Sequence, residues 1–480
     1  MNYRMLGYLL SVLLLIEGAL MLVPTVVALI YGESVWPFLL TIGILVVIAA
    51  PMAIFRPKNR RIFAKEGFVC VAATWILMSA FGALPFVFSS AIPNFIDAFF
   101  ETVSGFTTTG ASILTAVEGL PRGILFWRSF THWVGGMGVL VFMLAILPSV
   151  GGGQAVYLMR AEVPGPTKGK LVPKMRQSSL ILYGIYLVLT AIMVIALLMC
   201  RMPLYDALVN SFATAGTGGF SVLNASIGGY NNPAAEWVIG IFMILFGINF
   251  NLYFFLLLGR VRDVMRSEEL RTYLGIVAVA VVAIAVNTVH LFAKTGDGVR
   301  TAFFQVATIM STTGFATTDF NLWPEFSRTM LVLLMIVGSC AGSTAGGLKV
   351  SRIIILLKSI ARSVRQMIHP RSVNVVRLDG EAVEDDTVRT ALGYLAVYLC
   401  IILVTVLLIS LDGFSNETNL TATLACINNI GPGLGTVGPT GNFAGYSYFS
   451  KILLSVNMLF GRLEIMPMMI LFFPQTWRKR

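Results

Sequence analysis

The chain has 480 residues, 57% of them hydrophobic and only 12% charged, with a formal net charge of +11. A soluble domain carries about a quarter charged residues, so a soluble globular fold, a disordered chain and a disulfide-built domain are all excluded. Five cysteines without CxxC spacing and three scattered histidines read as packing residues rather than a metal or haem site.

A hydrocarbon core about 30 Å thick needs ~20 apolar residues per helix. Runs of that size lie at 5–30, 37–56, 68–90, 124–148, 178–200, 235–259, 272–293, 328–358, 390–411 and 450–474. Arg4 precedes the first run and no small-residue cleavage site follows it, so it reads as a retained span. Arg4, the gaps at 56–66, 151–177, 259–271 and 349–389, and the C-terminal Arg478-Lys479-Arg480 together hold 26 of the 34 Lys and Arg. The alternate gaps carry Asp97, Glu118, Asp206, Asp297, Asp319, Glu325, Asp412 and Glu417. This is the positive-inside pattern, and it predicts ten spans with both termini in the cytoplasm. The net charge is topological, and nucleic acid is not implied.

Between spans lie four moderately apolar stretches, 93–114, 203–222, 300–317 and 417–435, each with about a dozen residues before a glycine. As helices these reach only ~18 Å, too short to cross, and predict re-entrant half-helices. Anchored on Gly110, Gly219, Gly314 and Gly431 they read DAFFETVSGFTTTG, DALVNSFATAGTGG, TAFFQVATIMSTTG and TNLTATLACINNIG. Six places before the glycine stand Ser104, Ala213, Thr308 and Ala425, and two places before it Thr108, Thr217, Thr312 and Asn429. Pro93 and Pro203 are placed at the starts of the first two half-helices. Four copies of helix, half-helix and helix after two extra spans account for the whole chain. The divisions are 1–66 (accessory helices), 67–150, 151–262, 263–370 and 371–480.

Each copy has an even number of full spans, so all four insert the same way round, unlike inverted-repeat transporters. The expected fold is an all-α polytopic membrane protein: two accessory spans plus four parallel helix–re-entrant pore loop–helix repeats around a pseudo-fourfold pore. A potassium ion exchanges its hydration shell for converging backbone carbonyls, and glycine supplies the backbone angles that aim consecutive carbonyls one way. Candidate ion-binding residues are therefore Thr108, Thr109 and Gly110, with Thr217, Gly218 and Gly219, Thr312, Thr313 and Gly314, and Asn429, Ile430 and Gly431. Gly228 and Gly441, outside the aligned loops, are expected to tolerate substitution.

The segments TTTGAS (107–112), GTGGFS (216–221), STTGFATTDFN (311–321) and NNIGPGLGTVG (428–438), with GRLEI at 461–465, resemble the filter loops and last span of the Trk/Ktr potassium-uptake family, in particular its bacterial TrkH-type pore subunits. The resemblance covers the whole chain. It implies K⁺ as the transported ion, held at Thr108, Thr217, Thr312 and Asn429, a non-enzymatic protein of the bacterial inner membrane, and a homodimer with one pore per protomer. It also implies control by a cytosolic TrkA-like regulatory subunit that binds ATP/ADP or NAD; no phosphate-binding loop occurs in the chain itself.

Two features lie on the cytoplasmic side of the loops. The long run 328–358 is interrupted by GSCAGSTAGG. Gly338, Gly342 and Gly346 fall four apart, as in a small-xxx-small packing face. Yet Ser339, Ser343, Thr344 and Gly346-Gly347 are poor helix formers, of the kind tolerated at membrane depth only in a buried or cavity-lining loop. The resemblance implies an intramembrane gate at 339–347. Arg462, midway along the last run, reads as pore-facing rather than paired with Glu464, because residues two apart on a helix point away from each other. Lys349, Arg352, Lys358, Arg362 and Arg365 are expected to extend into the cytoplasm, to meet lipid headgroups and, by the resemblance, to offer the regulator's docking face.

A proton- or sodium-coupled secondary transporter is the alternative. It requires mid-membrane carboxylates, of which the spans offer little beyond Glu17 and Glu464. A membrane enzyme or respiratory subunit would need a His or carboxylate cluster that the sequence lacks.

Overall fold

In the computed structural model residues 2–55, 57, 64–138, 175–371 and 374–477 are described. The second part of the run 124–148, most of the basic gaps 56–66 and 151–177, and Arg478–Arg480 lie outside the described residues. Apart from one two-residue hairpin pairing, Arg377–Leu378 with Glu381–Ala382, the regular structure among the described residues is helical.

Helices α1 (Tyr3–Leu20), α2 (Leu22–Ile30) and α3 (Trp36–Ile54) pack together at the N-terminus. After them the same order of elements recurs four times. A long helix leads to a short one and then to a third: α4 (Ala64–Gly82), extended by α5 (Leu84–Phe88), then α6 (Phe95–Phe106) and α7 (Arg122–Gly136); α8 (Met175–Met199), α9 (Leu204–Ala215) and α10 (Pro233–Phe246). Helices α11 (Phe250–Leu257) and α12 (Val261–Arg266) connect to α13 (Glu268–Thr288), α14 (Thr295–Met310) and α15 (Glu325–Val337), followed by α16 (Val350–Ile368). Last come α17 (Asp385–Ile409), α18 (Asn416–Ile427), α19 (Tyr448–Leu463) and α20 (Ile465–Met469).

The short helices pack in a closed cycle. Each touches the third helix of its own unit and that of the unit before: α9 meets α7, α14 meets α10, α18 meets α15, and α6 meets α19, closing the ring. Six helical segments among the described residues are long and apolar enough to cross a membrane, from Tyr3–Ile30 to Asp385–Asp412. The protein is a multi-pass membrane protein.

The short helices start as local chemistry dictates. Asn94 Oδ1 accepts the N–H of Ile96 at 2.8 Å and Ser415 Oγ that of Thr418 at 3.3 Å, satisfying first-turn donors. Asp97, Asp206, Asp297 and Glu417 sit in first turns, complementing the helix dipoles. Asn94 rather than Pro93 caps α6, and Pro203 occupies the position just before α9.

The structure corrects two of the expected continuous spans, 235–259 and 450–474, and breaks a third, 328–358, where the sequence is interrupted. The run 235–259 bends by 91° between α10 and α11. The run 328–358 is α15, an irregular segment and α16, and the run 450–474 breaks at Glu464, whose φ is +65°. Hydropathy does not sense these breaks because the residues flanking them remain apolar.

Lipid is as apolar as a leucine side chain, so helices here associate through close packing rather than water exclusion. Small residues permit it. A Cβ on Gly135 would lie 1.8 Å from Phe106 O, and one on Gly461 2.1 Å from Ile427 O, which lets α7 and α19 cross directly beneath the ends of α6 and α18. Gly461→Ala should therefore lower stability by about 1–3 kcal/mol, the range for overpacking. Gly275→Ala, in α13 with nothing within 4 Å of the added carbon, should be neutral or stabilising by up to ~1 kcal/mol. Thermal unfolding of both variants in detergent checks this; equal loss in both would contradict the packing argument.

Candidate functional site

The four short helices end in one way. In each, the residue two places before the key glycine is left-handed: Thr108 (φ +57°), Thr217 (+58°), Thr312 (+56°) and Asn429 (+53°). The next residue's N–H then reaches back to the carbonyl six places before the glycine. Thr109, Gly218 and Thr313 bond Ser104, Ala213 and Thr308 at 2.8 Å, and Ile430 bonds Ala425 at 2.9 Å. Each end is a Schellman cap. This motif normally takes Gly or Asn, and three threonines stand in its left-handed position. A β-branched residue there is an outlier costing on the order of 1–3 kcal/mol, of the kind that clusters at functional sites.

The glycines follow, again left-handed: Gly110 at φ +81°, Gly219 at +78°, Gly314 at +87° and Gly431 at +98°. Two left-handed residues, one either side of a residue without positive φ, thus recur in every loop. Each glycine also lies against the carbonyl preceding the next loop's glycine. A Cβ on Gly110 would be 2.0 Å from Gly218 O, on Gly219 2.1 Å from Thr313 O, on Gly314 2.1 Å from Ile430 O, and on Gly431 2.8 Å from Thr109 O. The contacts run from loop 1 to 2, 3, 4 and back to 1. The ring is closed, and neither the backbone angle nor the space admits a side chain.

Above the ring opens a cavity of about 140 Å³, lined by all four glycines and by the residues that lead away from them. Below it the loops are tied together. Asn429 Nδ2 donates to Thr109 Oγ1 at 3.0 Å and to Met458 O at 2.9 Å. Gly218 stands where the other loops have Thr or Ile because the His132 ring fills its side-chain space, 2.3 Å from where a Cβ would sit. His132 Nδ1 in turn lies 2.7 Å from Gly105 O, joining loops 1 and 2.

Directly beneath, residues 338–349 form a buried irregular segment, not a helical packing face. Gly338, Gly342 and Gly347 are left-handed, and Ser339, Ser343, Thr344 and Gly346 are coil. The segment is held against the ring: Gly346 N–H donates to Thr312 Oγ1 at 2.8 Å, Ser339 Oγ to Met310 O at 2.8 Å, and a Cβ on Gly346 would lie 2.2 Å from Asn428 O. Arg462 joins it from α19. Its guanidinium donates to Thr344 O at 2.6 Å, to Gly136 O at 2.6 Å and to Gly135 O, the last two being the final carbonyls of α7. The structure thus brings together the four loops, the irregular segment and Arg462.

Other expected placements are corrected. Lys349 and Arg352 are buried instead of exposed to headgroups or a docking partner: Lys349 Nζ caps Ala345 O, and Arg352 pairs with Glu464. They turn inward because α16 begins beneath the irregular segment, which leaves Lys358, Arg362 and Arg365 on its outer part. Buried carboxylates also outnumber the sequence reading. Glu101, Glu236 and Glu269 are buried alongside Glu17. Glu101 and Glu236 are ion-paired with Arg128 and Arg300, and Glu269 accepts backbone N–H bonds. Hydropathy missed them because they lie on half-helices or near span ends.

Residues 39–479 match the TrkH family of cation transport proteins. The chain is 37% identical to the Trk system potassium uptake protein TrkH of Salmonella typhimurium over the whole of both chains. It is 34% identical to TrkG of Escherichia coli over 95% of each. The crystal structure of the potassium transporter TrkH from Vibrio parahaemolyticus superimposes with a TM-score of 0.89 at 33% identity, covering all of both chains. The chain belongs to the TrkH family. Among the described residues its predominantly helical membrane fold agrees with that assignment and with the all-α membrane class expected from the sequence.

Within this TrkH fold, Glu269 is a residue that sequence reasoning passed over. One oxygen, Oε1, accepts the N–H of Ala341 at 2.7 Å and of Ser351 at 3.2 Å, one on each side of the turn back into α16. A second acid beside Glu268 at the start of a span, with Ser267 as cap, was the available signal. Glu269→Ala should strand two buried donors at about 1–3 kcal/mol each, whereas Glu269→Gln keeps an acceptor and should cost less. Hydrogen exchange at the 341 and 351 amides, accelerated in the Ala variant and near normal in the Gln variant, is the check.

Proposed function

We propose that this protein carries potassium inward across the bacterial inner membrane through the ring of four loops. The observation that carries the reading is the closed cycle of carbonyls, each set by a left-handed residue followed by a left-handed glycine. The carbonyls of Thr108, Thr109 and Gly110 and of the corresponding triplets replace the hydration shell of the ion, with K⁺ held at Thr108, Thr217, Thr312 and Asn429. The C-terminal ends of α6, α9, α14 and α18 face it, and their dipoles favour a cation. The names of the relatives, all potassium uptake proteins of Trk systems, support the choice of ion. The units 67–150, 151–262, 263–370 and 371–480 are four pore repeats, and 1–66 is an accessory pair.

Residues 338–347 and Arg462 form the gate. The segment blocks the path sterically, and a fixed cation below the ring opposes K⁺ by Coulomb repulsion in a low-dielectric setting. A cytosolic nucleotide-binding subunit of the TrkA kind docks on the basic outer part of α16, where Lys358 and Arg362 are already organised by Glu268 and Asp385. The protein works as a homodimer in lipid, both termini in the cytoplasm. Glu17, buried in α1 with both carboxylate oxygens without a hydrogen-bond partner, is the residue a proton-coupled mechanism would use. Its neighbours are Gly82 of α4 and, across that glycine, α6, so it lies behind a half-helix rather than on the ring.

Reconstitution in liposomes with K⁺, Rb⁺ and Na⁺ flux tests the reading, and collapsing the pH gradient at constant voltage separates passive from coupled flux. Replacing Gly110, Gly219, Gly314 or Gly431 by Ser should reduce K⁺ over Na⁺ preference roughly tenfold or more, since a left-handed L-residue costs about 1–2 kcal/mol before any clash. Gly228 and Gly441 are unsuitable controls after all, because a Cβ there would lie 2.8 Å from Thr317 O and 2.0 Å from Thr436 O. Gly43 and Gly184, with open surroundings, serve instead. Unchanged selectivity in all four ring variants would sink the filter.

Deleting part of 339–347, or Arg462→Ala, should raise K⁺ flux in the absence of the regulator while leaving selectivity near normal. Flux per folded protein is the measurement. Lower flux in both variants at normal yield would remove the gate and leave the filter standing.

A further inference from the structure

Arg128, in α7, is the one charged residue among the described residues that line the cavity above the ring. A fixed cation at the mouth of a cation path is out of place on electrostatic grounds alone. Its surroundings account for it. Arg128 Nη1 donates to Ser221 O at 3.2 Å and the guanidinium lies 3.4 Å from the centroid of Phe220, so it grips the exit limb of loop 2. Nε pairs with Glu101 Oε1 at 2.6 Å, and both groups are almost wholly buried. Glu101 projects from α6 and accepts from Ser112 Oγ and from the Ile113 N–H, each at 2.9 Å, so it grips the exit limb of loop 1.

The register of the half-helices sharpens the point. Glu101 stands nine places before Gly110, and the same place before the other glycines holds Asn210, Gln305 and Ala422. Gln305 Nε2 reaches Thr317 Oγ1 at 3.3 Å, the exit limb of its own loop, as Glu101 does. A neutral amide is enough to brace a limb there. The carboxylate in unit 1 is needed for something an amide cannot do, and its partner is the cation on the cavity wall.

We propose that Glu101 cancels the charge of Arg128 at the vestibule, so that Arg128 ties loop 2 to α7 without repelling the entering ion. Glu101 and Arg128 are then positioning and electrostatic residues for selectivity, behind the ring rather than in it. The inference rests on the filter reading. A buried pair of this kind is a weak source of stability, and replacement of both charges by neutral isosteres is often tolerated, whereas removal of one leaves a buried charge uncompensated.

The experiment measures K⁺ and Na⁺ flux per folded protein in liposomes for Glu101→Gln, Arg128→Met and the double variant. Glu101→Gln should lower K⁺ entry roughly tenfold, the order expected of one unit charge acting across ~10 Å at an effective dielectric of ~20. The double variant should restore most of that flux, because no fixed cation remains, yet show a reduced K⁺ over Na⁺ preference, because loop 2 has lost its tie. Should Glu101→Gln fail to fold, the double variant still decides: normal selectivity in it overturns the positioning role. Flux in the double variant as low as in Glu101→Gln would overturn the electrostatic role, as would normal flux in Glu101→Gln. If ring glycine variants lose selectivity while these do not, the pair inference alone fails; if the glycine variants keep it, the filter reading fails first.

Discussion

Inside a bilayer no water is available to a bare carbonyl or N–H, so every departure from helix must be satisfied by protein. That constraint organises this molecule. Four short helices end at the ring and the chain turns away from each, and each turn leaves backbone groups that lipid could not solvate. The Schellman bonds at Thr109, Gly218, Thr313 and Ile430 consume one set of groups. The carbonyls that follow lie against the neighbouring loops' glycines, and in the proposed filter a cation is their partner. Closure is obligatory as well, since an incomplete ring would expose the same carbonyls to hydrocarbon. The same demand recurs one layer down, where α7 ends and Arg462 takes up the carbonyls of Gly135 and Gly136. Glu269 answers it for the N–H groups of Ala341 and Ser351.

On the proposed reading, conduction and burial are one problem. Three threonines held left-handed are strained on their own, and only a surrounding that over-determines them keeps them so. The neighbours that do this are backbone: each key glycine rests on the next loop's carbonyl, so no loop can relax without displacing another. If the ring selects ions as proposed, these mutual contacts are what hold its carbonyls in place. The irregular segment below is held against the ring through bonds such as Gly346 N–H to Thr312 Oγ1.

Much of this was legible in the chain, for physical reasons. Long apolar runs and the basic bias of alternate gaps are bulk properties that the membrane imposes directly. The four glycines stood out because their backbone angles exclude other residues, and the small residues six places earlier are the acceptors of the capping bonds. What stayed hidden depends on who meets whom in space. The breaks at Gly247 and Glu464 follow from packing beneath half-helices, and nothing in the local hydropathy marks them. Glu464 looked like a partner to be dismissed for Arg462; it ends the helix instead and pairs with Arg352 from a distant segment. Lys349 looked cytoplasmic because its neighbours in sequence are, yet a left-handed backbone turns it under the ring.

The two buried arginines on either side of the ring show how the same side chain serves opposite ends. Arg462 donates to the carbonyls of Thr344 and Gly136 beneath the ring. Arg128 is matched by a full carboxylate at 2.6 Å, so its field toward the cavity is largely cancelled while its hydrogen-bonding geometry remains. Guanidinium suits both tasks because its planar set of donors can hold several groups at once. Above the ring the guanidinium of Arg128 braces a loop beside a carboxylate, and below it that of Arg462 gathers carbonyls from α7 and the irregular segment.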